Sequence, residues 1–300
     1  MSTTRELKAR ARSAVSAGLA VWRGKTLVPA ESIPAAKPPE PKVESFPDDP
    51  VLAHARAVGD ARLLQRPVFI LSSIRSGSTL LRVMLNTHSQ IYAPHELHLG
   101  AVRVELASKY SRAAMRELGL NKEGVQFLLW DRLLQRELVR NNKSVLVNKT
   151  PNDAFIWRKI LRCWPDARFI YLLRHPAAIT DSWQKARKEW PRDKVGQDVK
   201  RYMVAVQDAR SQVEGLTVRY EDITRSPERE LTRICEFVGV EYEPSMVDYA
   251  GGEHGRFKPG LGDWSKTIKS GVVQPVERMP DEKEIPATLL EVSKQWGYLE

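Results

Sequence analysis

The stretch Val68 to His88, VFILSSIRSGSTLLRVMLNTH, decides the reading of this chain. VFILSS (68–73) is a short apolar run rich in β-formers, which predicts a buried strand. Ser72-Ser73-Ile74-Arg75-Ser76-Gly77-Ser78-Thr79 follows, and STLLRVMLNTH (78–88) has helical spacing. A strand running through a polar turn into a helix N-terminus suits an anion. Unpaired backbone N–H groups and the positive end of the helix dipole point at the same spot. Gly77 lets the backbone approach closely. Ser76, Ser78 and Thr79 add hydroxyls, and Arg75 adds a fixed charge with a planar fork. An ordinary capped strand-to-helix turn needs none of this concentration of donors around one glycine. The loop is not the nucleoside-triphosphate type G-x-x-x-x-G-K-[ST]. It lacks the first glycine and the lysine before Ser/Thr, and its cation precedes Gly77.

Further strands are expected at SVLVNKT (144–150), RFIYLLR (168–174) and LTVRYEDI (216–223). Helical patterns lie between them at 122–141, 153–163, 176–188 and 197–213. Strands separated by helices predict an α/β fold, a parallel β-sheet flanked by helices, with ligands at the carboxyl ends of the strands. A second constellation follows the third expected strand. Arg174 ends it, Pro176 opens a helix, and Ser182 lies eight residues beyond Arg174, about two turns into that helix. Arg174 and Ser182 are therefore placed to reach one anion.

The chain has 300 residues, 42% hydrophobic and 28% charged, a globular composition. Its two cysteines, Cys163 and Cys235, exclude a disulfide scaffold and a cysteine-rich zinc site, and fit a reducing, cytoplasmic compartment as buried thiols. The net charge is +10. Half of it lies in the first 25 residues, where Arg5, Lys8, Arg10, Arg12, Arg23 and Lys25 face Glu6 alone. The rest of the chain has no concentrated basic excess of the kind that nucleic-acid binding uses. The leader reads as a solvated tail, as a basic amphipathic helix making peripheral membrane or protein contact, or as a transit peptide. Pro29, Pro34, Pro38, Pro39, Pro41, Pro47 and Pro50 make a semi-rigid linker behind it. The expected organisation is a leader and linker over 1–50 and one domain over 51–300. Gly251 to Pro286 has no clear period and reads as a long functional or disordered loop.

These elements together resemble the family of PAPS-dependent sulfotransferases (PAPS is 3′-phosphoadenosine 5′-phosphosulfate). Arg75-Ser76-Gly77-Ser78-Thr79 is similar to that family's 5′-phosphosulfate loop, and Arg174 with Ser182 to its 3′-phosphate motif. Arg219-Tyr220-Glu221-Asp222 resembles a Tyr-Glu-Asp element expected on a strand, and Gly262-Asp263-Trp264 resembles the loop that closes over the nucleotide. The resemblance covers roughly 67–270. Arg75 in place of lysine, the Leu80-Leu81 pair and Lys149-Thr150-Pro151 set the chain apart from the small-molecule branch. They bring it nearer to tyrosylprotein sulfotransferases and to sulfotransferase domains of bacterial polyketide assembly lines. In the closing loop Phe257 and Pro259 stand where Arg and Gly are expected, leaving Lys258 in register.

The resemblance implies a P-loop-like sulfotransferase fold and transfer of a sulfuryl group from PAPS to an acceptor hydroxyl, with PAP, the 3′,5′-bisphosphate, as product. Arg75 and Lys149 would stabilise the leaving phosphate and the sulfuryl oxygens. Arg174, Ser182, Tyr220, Lys258 and Gly262 would hold the nucleotide. Glu96 would be the base, with His95 and His98 as rivals. A sulfuryl group carries less charge than a phosphoryl group, so no metal is expected. The acceptor is a small molecule or a carrier-tethered chain, faced by segments within 100–142 and 183–194. A P-loop-type kinase is disfavoured by the absent lysine. An inactive nucleotide-binding scaffold is disfavoured by Arg75, Glu96 and Lys149 standing together.

Overall fold

The computed structural model describes residues 62–251, 268, 270–276 and 278–300. Five parallel strands form the sheet: β1 (Val68–Ser72), β2 (Ile91–Tyr92), β3 (Val145–Lys149), β4 (Arg168–Leu173) and β5 (Gly215–Arg219). Their order is β2-β3-β1-β4-β5, with Val68 aligned on Val147 and on Arg168, and Phe169 on Gly215. The α/β reading and the four expected strands stand. Strand β2 has only two residues, too few for any alternation to reveal it.

β1 is buried along its whole length, as a central parallel strand must be. Its side chains alternate between two cores. Val68 and Ile70 pack with Leu81, Met84, Ile170, Leu172, Val218 and Ile234 on one face. Phe69 and Leu71 pack with Trp130, Trp164, Phe169, Met203 and Trp296 on the other. The first face is covered by α1 (Ser78–Thr87) and, later in the chain, by a helix at Pro227–Val238. The second is covered mainly by α3 (Lys122–Arg140), α4 (Trp157–Cys163) and α6 (Arg192–Gln212). Two more helices, α2 (Lys109–Glu117) and α5 (Pro176–Ala186), lie in between in chain order.

Three expectations shift. The helix expected over 153–163 is a short 3-10 turn at Pro151–Phe155 followed by α4, with a break at Ile156. Helix α6 begins at Arg192, five residues before the expected start, with Arg192, Asp193 and Lys194 exposed ahead of the buried Val195. The strand expected over 216–223 ends at Arg219, where pairing with β4 ends at Leu173, and Tyr220–Arg225 is a helix, α7. Glu221 and Asp222 in its first turn favour that helix start. Tyr220 therefore stands at a strand-to-helix junction and not on a strand.

The leader and linker over 1–50, and most of the Gly251–Pro286 segment with Lys258 and Gly262, lie outside the described residues. Among the described residues no helix is long and apolar enough to cross a membrane. Both thiols are buried and unbridged, and burial pushes the Cys235 thiol up to about 11, which suits structural cysteines.

Candidate active site

Every sequence-nominated group in the described residues except His95 gathers at the carboxyl end of the sheet. β1 is central, with β3 on one side and β4 on the other, so the loop after it opens where ligands bind in such folds. The loop 73–77 turns through two left-handed residues, Arg75 (φ 62) and Gly77 (φ 85). Gly77 is the N-cap of α1, and the first turn of that helix holds no acidic residue. Its own positive end is thus left for an external anion.

The ring of Tyr220 lies against this glycine. A methyl group at position 77 would sit 2.1 Å from Tyr220 Cδ2. Gly77→Ala should therefore displace Tyr220 and strain the loop, by ~1–2 kcal/mol for the backbone alone. We expect affinity for an anionic nucleotide to fall by roughly tenfold or more, measured by calorimetric titration with PAP. Unchanged affinity would mean that the close approach has no part in binding.

The two anion motifs are one physical unit. Arg75 Nε donates to Ser182 Oγ at 3.0 Å, and Arg174 Nη1 donates to the Arg75 carbonyl at 2.8 Å. The Arg174 guanidinium lies 4.3 Å from the centre of the Tyr220 ring. Ser182, expected to reach the same anion as Arg174, lies against Arg75. Glu221 anchors this end of the sheet. Its carboxylate accepts from His175 N–H and from the Tyr298 hydroxyl, both at 2.8 Å. That fixes the turn in which Arg174 leaves β4 and Pro176 starts α5. Burial pushes the Tyr298 hydroxyl well above its ordinary range, with Glu221 adding to it, so it stays a donor.

Several polar atoms here are buried with no hydrogen-bond partner among the described residues: the hydroxyls of Ser72, Ser73 and Ser76, and Arg174 Nε. Buried donors are rarely left so. Their convergence on one loop fits a ligand rich in acceptor oxygens.

Beside the loop stands a second group of charges. Lys149, the last residue of β3, is 1% exposed. Its ammonium lies 2.5 Å from Glu96 Oε1 and 3.4 Å from Thr79 Oγ1 on α1. The other Glu96 oxygen is 3.5 Å from His98 Nε2. His98 has a left-handed backbone (φ 48), and its N–H donates to Thr150 Oγ1 at 3.3 Å. Of the rival bases, His98 thus adjoins Glu96, whereas His95 is exposed. Two buried groups here escaped sequence reasoning. Arg82 on α1 donates to the Ala93 carbonyl at 3.1 Å and is pushed down to about 10 by burial, against the pull of Glu96 and Tyr92. Asp153 accepts from Asn148 Nδ2 at 2.6 Å. Neither belongs to a local pattern, since each meets its partners only through the fold. Among the described residues no group of acidic, histidine or cysteine side chains has the arrangement of a metal site.

A parallel sheet whose central strand delivers a hydroxyl- and arginine-lined loop to a helix N-terminus, with a Lys–Glu pair alongside, is suited to holding an anionic group. The chain belongs to the sulfotransferase family, whose pattern matches residues 67–244. It is a transferase of that family. Among solved structures it is similar to the sulfotransferase domain from the curacin biosynthetic pathway. Identity is 25%, the TM-score is 0.57, and the match covers 79% of this chain and 99% of that one. It is also similar to the sulfotransferase domain from the Synechococcus PCC 7002 olefin synthase, at 26% identity and a TM-score of 0.57, over 78% and 96% of the two chains. Protein-tyrosine sulfotransferase 2 of Gallus gallus is 22% identical over 260 residues, 77% of this chain and 63% of that protein. The chain spans between 47% and 68% of the length of the curated relatives it matches.

Proposed function

We propose that this sulfotransferase takes its sulfuryl group from PAPS and passes it to a hydroxyl of a small-molecule or carrier-tethered acceptor. The observation that carries the reading is the joined array Arg174–Arg75–Ser182 around a loop whose buried serine hydroxyls lack partners among the described residues. A bisphosphorylated nucleotide offers two separate anions to such an array. The loop Arg75, Ser76, Gly77, Ser78 and Thr79 would take the 5′-phosphosulfate. Arg174 and Ser182 would take the 3′-phosphate, and Tyr220 would back the loop. Lys258 and Gly262, outside the described residues, complete the proposed nucleotide site.

In this reading the acceptor oxygen attacks sulfur and its proton passes to Glu96. The bond from sulfur to the bridging oxygen breaks, and PAP leaves with the electron pair stabilised by Arg75 and Lys149. The protein's cations and N–H groups do the work that preorganised donors do in other acyl and phosphoryl transfers. Similarity to sulfotransferase domains from the curacin biosynthetic pathway and from an olefin synthase supports a role in biosynthesis. The leader over 1–50 would then serve attachment to a membrane surface or a partner, ahead of a catalytic domain over 51–300.

PAP at about 100 times its dissociation constant should add ~2.7 kcal/mol of stability. The same concentration of 5′-AMP should add far less, because it lacks the phosphate that Arg174 and Ser182 would bind. Thermal unfolding with each nucleotide reads this directly, and equal shifts would sink the 3′-phosphate assignment. Incubation of the enzyme and PAPS with phenol, sugar, hydroxy-lipid and carrier-tethered acceptors, followed by mass analysis, identifies the class that gains one sulfuryl group.

A further inference from the structure

We infer that Asp153 is a positioning residue which, clamped by Asn148, holds the turn after β3 so that Lys149 and Glu96 stay in register. The inference rests on the proposed roles of that pair.

Asn148 and Lys149 are neighbours on β3, so their side chains leave opposite faces of the sheet. Lys149 turns to the α1 side, toward Thr79 and Glu96. Asn148 turns to the other side, where the chain folds back as the Pro151–Phe155 turn. There its amide donates to Asp153 Oδ2 at 2.6 Å, and both side chains are fully buried. Asp153 is also the backbone pivot of the turn. Its N–H donates to the Thr150 carbonyl at 2.9 Å, and its carbonyl accepts from Ile156 N–H at 3.0 Å. Thr150 in turn takes the N–H of His98, the residue beside Glu96. One short loop therefore ties the end of β3 to the segment carrying the proposed base. A polar staple buried on the side of the sheet away from the chemistry has no other evident task.

The charge state of Asp153 matters to this arrangement. Elements packed against the turn are β1, α6 and the Leu99–Ala101 turn. β1 contributes no titratable group. α6 contributes Tyr202, whose hydroxyl donates to Asn152, and Arg201, stacked on Phe155. The segment before Leu99 contributes Glu96 and His98, and β3 contributes Lys149. Burial, with the charge of Glu96 adding to it and the Asn148 bond and Lys149 opposing it, raises the Asp153 carboxyl to about 8. At neutral pH it holds its proton and does not compete with Glu96 for the Lys149 ammonium. Above about 8 it becomes a second buried carboxylate whose charge reaches Lys149 from the other face of the sheet.

The test uses the full chain with lysine side-chain nitrogen and aspartate carboxyl labels, read by NMR, together with PAP calorimetry and release of PAP from PAPS. In the wild type the Asp153 carboxyl should titrate near 8, and the slowly exchanging Lys149 ammonium signal should change with it. Asp153→Asn, which stays neutral, should keep the Lys149 signal and turnover within about threefold while losing that pH response. Asp153→Ala and Asn148→Ala should each weaken the Lys149 signal and lower turnover by about tenfold or more, as misplacement of reacting groups does. PAP affinity should stay within about threefold, and the double variant should be no worse than either single one. Folded Asp153→Ala and Asn148→Ala proteins with an unchanged Lys149 signal would overturn the inference. So would a Lys149 pH response that survives in Asp153→Asn. The Lys149 readout needs no nucleotide, so it separates failure of this inference from failure of the PAPS reading, which would appear as loss of PAP binding in the wild type.

Discussion

Arg75→Ala should abolish measurable transfer and weaken PAP binding. Arg75 joins the two anion motifs. Its guanidinium donates to Ser182, and its carbonyl accepts from Arg174. Truncation removes a charge-assisted donor worth ~1.5–3 kcal/mol, so affinity should fall roughly 10- to 100-fold. The rate should fall further, because the leaving phosphate gains charge only as the sulfuryl group departs. Arginines placed at such developing charge contribute about 10³–10⁵ in turnover in phosphoryl transfer. Backbone strain does not confuse the result, since alanine at φ 62 pays much the same cost as arginine does. Arg75→Lys should recover part of the rate but not the bond to Ser182, because lysine offers a point charge and no fork. PAP calorimetry and PAP release from PAPS check both variants. A fully active Arg75→Ala enzyme would be incompatible with this loop holding the phosphosulfate.

Glu96→Gln should lower the rate by roughly 10²–10⁴ with PAP affinity unchanged, the cost of losing a general base. Glutamine keeps the shape and can still accept from Lys149, but it cannot take a proton. The substitution also withdraws a carboxylate from a buried ammonium 2.5 Å away. Removing one partner of a buried pair costs ~3–5 kcal/mol of stability. The rate is therefore to be measured at a temperature where the variant's unfolding curve shows it native. His98 is the informative control, because it sits 3.5 Å from the same carboxylate. His98→Ala with near-normal turnover beside a slow Glu96→Gln would support the carboxylate. The reverse pattern, with Glu96→Gln near full rate and His98→Ala or His95→Ala inactive, would make a histidine the base.

The ion pair bears on the order of events. With Lys149 against Glu96, neither is committed to a substrate. An incoming sulfuryl group, itself anionic, competes for the ammonium. In the proposed reaction Lys149 would turn toward it and release Glu96 to the acceptor. On the proposed roles, one side chain would couple donor binding to release of the base.

Much of this was legible in the chain itself. β1 is apolar on both faces and flows straight into Arg75-Ser76-Gly77, so strand, loop and helix could be placed before any coordinate. Arg174 and Ser182 are marked by the end of an apolar run and the proline that opens α5. Cys163 and Cys235 lie in apolar helical patterns and are buried. These features are local, and hydrophobic period and turn chemistry encode them directly. Other features left weak traces or none. β2 is two residues long, and its place at the sheet edge comes only from pairing Ile91 with Val145. Tyr220 read as strand because β5 and α7 follow one another without a break.

By itself, then, the sequence determined the α/β class, the strand–loop–helix unit around Gly77, and the residue types that line it. The tertiary structure decided which of them meet. It laid Ser182 against Arg75, set the Tyr220 ring on Gly77, joined Lys149 to Glu96 across 53 residues, and buried Asp153 beneath them. The reason is physical. A helix or strand repeats over a few residues and writes its period into the chain, whereas a contact between distant segments depends on how whole elements pack, and packing leaves no local signature.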